Sequence, residues 1–301
     1  MALIAMTFAA CASDDVGGTG EESIAISFGY GTRSASGTGE TTFMTNEKVW
    51  LWATGSTPIT AWQLSADGSG NFSSSKTYYW PKDGTSLQIN AIHGNFTPQP
   101  TEGTTTWDGN FTHTVEFDQS TENNYRLSDL LQCSANVSQW DGSHTLSFNH
   151  LLAKVEVTLA NADVASISDE VLANATVKIS GIKPTATYNS STGSVIVSGT
   201  AGEVTLGKIF SSNSKVREAI IAADQTVASL TFTVTLNNFP ASGKSRTLTC
   251  STTSATFYKG NKYKYTLTLN NNIIISTVSV SEWTDDAATT VIIPAAPVAS
   301  N

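Results

Sequence analysis

Ala153-Lys154-Val155-Glu156-Val157-Thr158-Leu159 decides the fold class. Apolar and polar residues alternate strictly, and a period of two marks a strand with one buried face and one wet face. Val155, Val157 and Leu159 are expected inward, with Lys154 and Glu156 outward or paired at a rim. The same habit extends in both directions. Ile24-Ala25-Ile26-Ser27-Phe28 alternates, and so do Leu230, Phe232, Val234 and Leu236 against threonines 231, 233 and 235. Tyr263, Tyr265, Leu267 and Leu269 alternate with Lys264, Thr266 and Thr268, and Val278 and Val280 continue the pattern. Clusters of Gly, Asn, Asp and Ser punctuate these runs roughly every 8–12 residues, the rhythm of a β-sandwich. Helical patterning is slight: one turn is expected at Leu127–Leu131 and another at Ser168–Asn174. The expected fold class is all-β. A domain boundary is expected near residue 142, where the polar stretch Ser134–Ser143 gives way to Leu146-Ser147-Phe148-Asn149-His150-Leu151-Leu152. Residues 24–142 then form one sandwich and 143–301 a second in tandem.

The chain has 301 residues, enough for about two domains at roughly 150 residues each. Charged residues make up 14% and the formal net charge is -9. So few Lys and Arg exclude a nucleic-acid partner, because neutralising phosphate takes clustered cations. Apolar residues at 40% exclude wholesale disorder. Beyond residue 11 no apolar run approaches the ~18 residues of a membrane-spanning helix.

The N-terminus reads as an export signal. Residues 2–10, ALIAMTFAA, are apolar and end in small side chains, as a secretory signal does. Phe8-Ala9-Ala10-Cys11 resembles the bacterial lipobox, in which a peptidase cuts before the cysteine and its sulfur carries a diacylglycerol. Residues 1–10 are thus expected as signal peptide, and Cys11 as the lipidation site heading a flexible tether to residue 23. Ala12-Ser13-Asp14-Asp15 resembles an acidic tag for display on the outer surface. No Lys or Arg precedes Cys11, a departure from the basic start of such signals, which places the true start a few residues upstream. Cys133 and Cys250 are expected as free, buried thiols.

Catalytic patterns do not occur. The sequence holds no G-x-S-x-G, H-E-x-x-H, Walker loop or EF-hand loop. His93, His113, His144 and His150 show no metal-ligand spacing, and the acidic pairs are sequence neighbours that point apart in extended chain. The chain is expected not to be an enzyme, and to need no cofactor and no metal. Trp50 and Trp52 share one face of a strand and, with Tyr78-Tyr79-Trp80-Pro81, admit two readings. They are a stacking platform for a glycan, or aromatics of the first core.

Several stretches together resemble the fimbrillin family, subunits and accessory proteins of the type V pili of Gram-negative anaerobes. His150-Leu151-Leu152-Ala153-Lys154-Val155 is similar to its H-[AL]-[ML]-A-K-V strand. Lys76-Thr77-Tyr78-Tyr79-Trp80-Pro81 is similar to its Y-x-W-P strand, followed by Leu87–Ala91. Tyr125–Leu131 resembles its S-D-L-L segment, Tyr258–Leu267 its G-x-x-Y-x-Y-T-L strand, Ser281-Glu282-Trp283 its closing I-x-x-W, and Thr32-Arg33-Ser34 its early T-R-[AS]. The resemblance implies two transthyretin-like sandwiches and assembly by strand exchange. An Arg-specific protease would cut Arg33–Ser34, in a Gly/Ser-rich stretch of the kind proteases enter. The cut would free the strand Ile24–Tyr30, with Ile24, Ile26 and Phe28 facing inward. The groove left behind would take a strand from a neighbouring subunit. The donor is expected in the tail, where Val291, Ile292 and Ile293 are strand-like and Pro294 and Pro297 restrict the chain beyond residue 293 to an edge. Implied partners are other fimbrial subunits, the protease, the outer membrane through the lipid on Cys11, and a host or bacterial surface glycan or protein. The implied location is an outer-membrane lipoprotein precursor, then the fimbrium at the cell surface. The competing reading is a surface glycan-binding lipoprotein of a nutrient-uptake system.

Overall fold

Alternation at residues 153–161 builds a strand, Ala153–Asn161, that pairs antiparallel with Val216–Ile221 and parallel with Asn261–Leu269. The computed structural model describes residues 23–31, 42–162, 167–239, 244–269, 273–283 and 291–293, for the last of these and at some segment ends the backbone alone. Beyond Asn261–Leu269 the sheet continues through Ile273–Glu282 to Val291–Ile293. A second sheet runs Gly202–Leu206, Thr176–Ile182, Thr231–Phe239, Lys244–Ser251. Val155, Val157, Tyr265 and Leu267 from the first sheet and Val177, Ile179, Phe232 and Val234 from the second share one buried cluster, with Phe232 and Tyr265 ring centroids 4.8 Å apart.

Lys154 departs from expectation. It is 2% exposed, and its Nζ lies 2.6 Å from the Glu218 carboxylate. The first half of the chain covers the start of the face that alternation assigns to water: the same ammonium sits 5.8 Å over the Tyr125 ring, while Glu156 stays partly exposed beside Lys264. Its neighbour strand Val216–Ile221 is buried at every position, Ala219 and Ile221 against the second sheet and Ile220 in a cluster with residues of the first half.

The first half forms a six-stranded sheet ordered Phe72–Ser73, Ile59–Ala66, Lys48–Thr54, Leu87–His93, Leu131–Val137, Asn149–His150. Val49, Leu51, Leu87 and Ile89 pack with Phe28, Phe43, Trp80 and Phe148 in one cluster. Trp50, Trp52 and Ile92 belong to another, shared with Tyr188, Ile220 and Trp283 of the second half. A further sheet, Ser194–Ser198, Thr185–Asn189, Asn110–Thr114, joins the two halves by backbone pairing.

Residue 142 is not where the sheets divide. Thr145–Leu146 pairs with Gly29–Tyr30, and Asn149–His150 with Leu131–Val137. The division falls between His150 and Ala153. The polar stretch that looks like a linker is partly strand: Leu131–Val137 buries Leu131, Cys133 and Val137 and turns Ser134 and Asn136 outward. Helix α1, Glu122–Leu127, is capped by the Thr121 side chain and lies upstream of the turn expected at 127–131. Helix α2, Asp169–Ala173, is capped by Ser168 within the expected stretch. Cys133 and Cys250 are free, and burial pushes both thiols up to about 11.

Candidate strand-exchange site

The first described segment, residues 23–31, threads between two partners. On one side Ile26 N–H donates to Tyr78 O, Trp80 N–H to Ile24 O, Phe72 N–H to Phe28 O and Tyr30 N–H to Gly70 O. On the other, Gly29 N–H donates to His144 O and Gly31 N–H to Leu146 O. The first pairing is antiparallel and the second parallel, so the segment is an internal strand for its last three residues.

Alternation then decides what it buries. Ile26, Phe28 and Tyr30 are buried, while Ala25 and Ser27 face out. Phe28 sits in an aromatic socket, its centroid 6.3 Å from Trp62, 6.3 Å from Trp80 and 6.5 Å from His144. Tyr30 lies 5.2 Å from Phe43 and 4.8 Å from Phe72. Its hydroxyl faces Phe43 O at 3.3 Å and Asp67 Oδ1 at 3.4 Å. Burial raises the Tyr30 pKa, while the backbone N–H groups of Asn71 and Ser69 hold Asp67 down at about 2. Gly29 is where the strand passes closest to its neighbour: a Cβ there would lie 3.1 Å from Gly70 O.

Ile24 does not join the inward set. It shares the parity of Ile26 but is 52% exposed, because the strand's start overhangs the core while its carbonyl still accepts from Trp80. Tyr30 takes the third place. The signal for it was in the sequence, since parity from Phe28 points straight to it.

Arg33 and Ser34 lie outside the described residues, as do Cys11 and the signal. The chain on both sides is fixed. Gly31 is held as above, and Thr42 O accepts from Arg126 Nη1 at 2.8 Å. Arg126 is itself buried against Glu122, 2.8 Å away, with its guanidinium 5.0 Å over the Phe210 ring.

Val291–Ile293 pairs antiparallel with Ile273–Glu282, Val278 opposite Ile293 and Val280 opposite Val291. It is the last strand of its sheet. Just before it, Trp283 is pinned. Its ring stacks on His150 at 3.7 Å and 9°, His150 Nδ1 lies 3.0 Å from Asp129 Oδ1, and Trp283 N–H donates to Gly260 O. His150 and Trp283 stand in separate motifs, and nothing in their 133-residue separation announces the stack.

Trp50 and Trp52 do share a face, but it is an inner one. They are 6% and 3% exposed. Trp52 Nε1 donates to Thr105 O at 2.7 Å, and its ring lies 5.2 Å from Trp107 and 5.4 Å from Phe111. The strand Lys48–Thr54 is buried at every interior position, so neither ring presents the open face that stacking on a glycan uses.

Residues 32–283 match the family described as fimbrillin-like. The chain belongs to the fimbrillin-like family. A candidate fimbrium subunit of Bacteroides uniformis, Fim1C, is 27% identical over 234 residues, 76% of this chain and 72% of that one. Among solved structures, a candidate cell adhesion protein from Bacteroides uniformis superposes with a TM-score of 0.63 at 21% identity, covering 87% of this chain and 98% of that one. Another from Bacteroides ovatus gives 0.63 at 15%, covering 88% and 99%. These two share the fold of this fimbrillin-like chain. Membership places the chain in a family of fimbrium subunits, which implies a place at the cell surface and interaction with other fimbrial subunits. The matched span leaves out both the first strand and the tail strand.

Proposed function

We propose that this fimbrillin-like chain is a structural and adhesive subunit of a surface fimbria, assembled by protease-triggered β-strand exchange. The supporting observation is the seat of residues 24–31: backbone pairing on both flanks and three buried side chains in a row. Burying Ile26 and Phe28 alone contributes about 1.5–3 kcal/mol each. While Arg33–Ser34 is intact, the strand stays tethered beside its groove at an effective concentration on the order of millimolar, and an intermolecular competitor is at a disadvantage. Cutting that bond ends the advantage. The strand can then diffuse away, and the strand of a neighbouring subunit fills the groove. The contact is head-to-tail and does not close on itself, so it builds a fibre rather than a ring.

The arginines favour a single cut. Arg126 and Arg217 are buried, and Arg246 lies within the paired strand Lys244–Ser251. Arg33, in a Gly/Ser-rich stretch, is the remaining arginine of the sequence. In the same reading Cys11 carries the lipid that holds the precursor at the outer membrane.

An Arg-specific protease applied to the folded protein tests the trigger. The wild type should release one N-terminal peptide ending at Arg33, seen by mass spectrometry, while Arg33→Ala stays whole. Release from both, or from neither, would overturn the trigger. Growth with a fatty-acid analogue tests the anchor: wild type should label and Cys11→Ala should not.

A further inference from the structure

The groove has a shape that selects its occupant. Its first pocket takes an aliphatic chain, Ile26. The second is an aromatic socket walled by Trp62, Trp80 and His144, and the third is walled by Phe43 and Phe72, with two acceptors, Phe43 O and Asp67 Oδ1, placed for a hydroxyl. Between the second and third lies the slot of Gly29, where a Cβ would sit 3.1 Å from Gly70 O. Backbone N–H groups are needed at the positions of Ile26, Gly29, Tyr30 and Gly31, each of which donates to the groove.

The chain's own tail does not meet these terms. None of residues 284–301 is Phe, Tyr or Trp, so in no register does the tail bring a ring to either socket. Seating Val291 and Ile293 in the first two pockets places Pro294 at the position of Gly29, whose N–H donates to His144 O. It also leaves Ala295 in the Tyr30 pocket. Seating Ile293 in the Tyr30 pocket puts β-branched Ile292 in the glycine slot and Pro294 where Gly31 N–H donates to Leu146 O. Proline has no N–H to give, and an aromatic pocket filled by Ala leaves a cavity that a close-packed core tolerates poorly.

We infer that the groove of this chain is filled, in the assembled fimbria, by a strand from a different fimbrial subunit with the pattern aliphatic-x-aromatic-small-aromatic, and not by the tail of a second copy. The inference rests on the strand-exchange reading and gives it a partner. Alternate side chains in the pockets set specificity, while backbone pairing is common to all donors. The chain therefore sits at a junction between unlike subunits, and its own tail serves a groove of different shape.

Full-length protein cut by an Arg-specific protease is incubated with three fluorescent peptides, and binding is read by anisotropy. The first is Ser-Ile-Ala-Ile-Ser-Phe-Gly-Tyr-Gly-Thr, residues 23–32; the second is the same with Phe28→Ala and Tyr30→Ala; the third is residues 284–301. The first should enter. The second and third should bind at least 100-fold more weakly, and the cut protein alone should stay monomeric on size exclusion. A tail peptide binding within tenfold of the first, or polymers grown from this chain alone, would overturn the inference and leave strand exchange standing. Entry by none of the three would mean the groove never opens, and would overturn both.

Discussion

His113 shows how one buried side chain ties stability to pH. Its Nδ1 accepts from Asn95 N–H at 2.9 Å and its Nε2 donates to Ser128 O at 3.0 Å, an arrangement only the neutral ring can make. Burial therefore lowers its pKa from 6.5 to about 4. Between those values the unfolded chain binds the proton and the folded chain does not. The neutral ring's contribution is present in full above pH ~6.5 and is lost as pH falls toward 4, about 3 kcal/mol at ~1.4 kcal/mol per pKa unit. Urea melts across pH 4–7 should show that slope, and His113→Gln should flatten it. Lys154 is a second case. Glu218 is buried too, and besides the ammonium it accepts from the backbone N–H of Phe210 at 2.6 Å. Removing one partner strands the other, so Lys154→Ala should cost about 3–5 kcal/mol in a denaturant melt. A surface lysine would cost ±0.5 kcal/mol.

At the scale of the element, the first strand divides into a part that overhangs and a part that is seated. Ile24 is exposed and Phe28 is enclosed by rings. Phe28→Ala in the uncut protein should cost about 3–5 kcal/mol through the cavity it leaves. Ile24→Ala should stay near ±0.5 kcal/mol. Equal losses would mean the register is shifted by a residue pair. The tail strand differs in kind: it pairs along Ile273–Glu282 at the end of a sheet, after a tryptophan clamped by His150. Trimming residues 284–301 should leave both cleavage at Arg33 and entry of the first-strand peptide unchanged, while stopping donation to the next subunit.

At the scale of the molecule, the two halves share a buried cluster, with Trp50, Trp52 and Ile92 on one side and Tyr188, Ile220 and Trp283 on the other. The sheet joining Asn110–Thr114 to Thr185–Asn189 adds backbone pairing across the same boundary. Such a boundary should not melt in two steps. Cys133 belongs to the first core and Cys250 packs against the second, which makes them reporters already in place. Their labelling by a thiol reagent should rise at the same urea midpoint, and Trp52→Ala should lower that midpoint for both.

Alternation along the chain determined much of this. A period of two is a property of the extended backbone itself, so the strands at 153–161, 231–239 and 261–269, and the inward places of Ile26 and Phe28, come from sequence. The ordered motifs from Thr32 to Trp283 carried the family as well. Parity says which residues share a face, but not what lies against that face. Only the packed chain decided that Lys154, at the start of the polar face of Ala153–Asn161, meets Tyr125 and Glu218 rather than water, while Glu156 further along stays partly exposed. Packing likewise closed both faces of Lys48–Thr54, which buried the rings of Trp50 and Trp52. It set the division of the sheets after His150, and it left Ile24 outside, because the end of a strand is buried only as far as its neighbours reach.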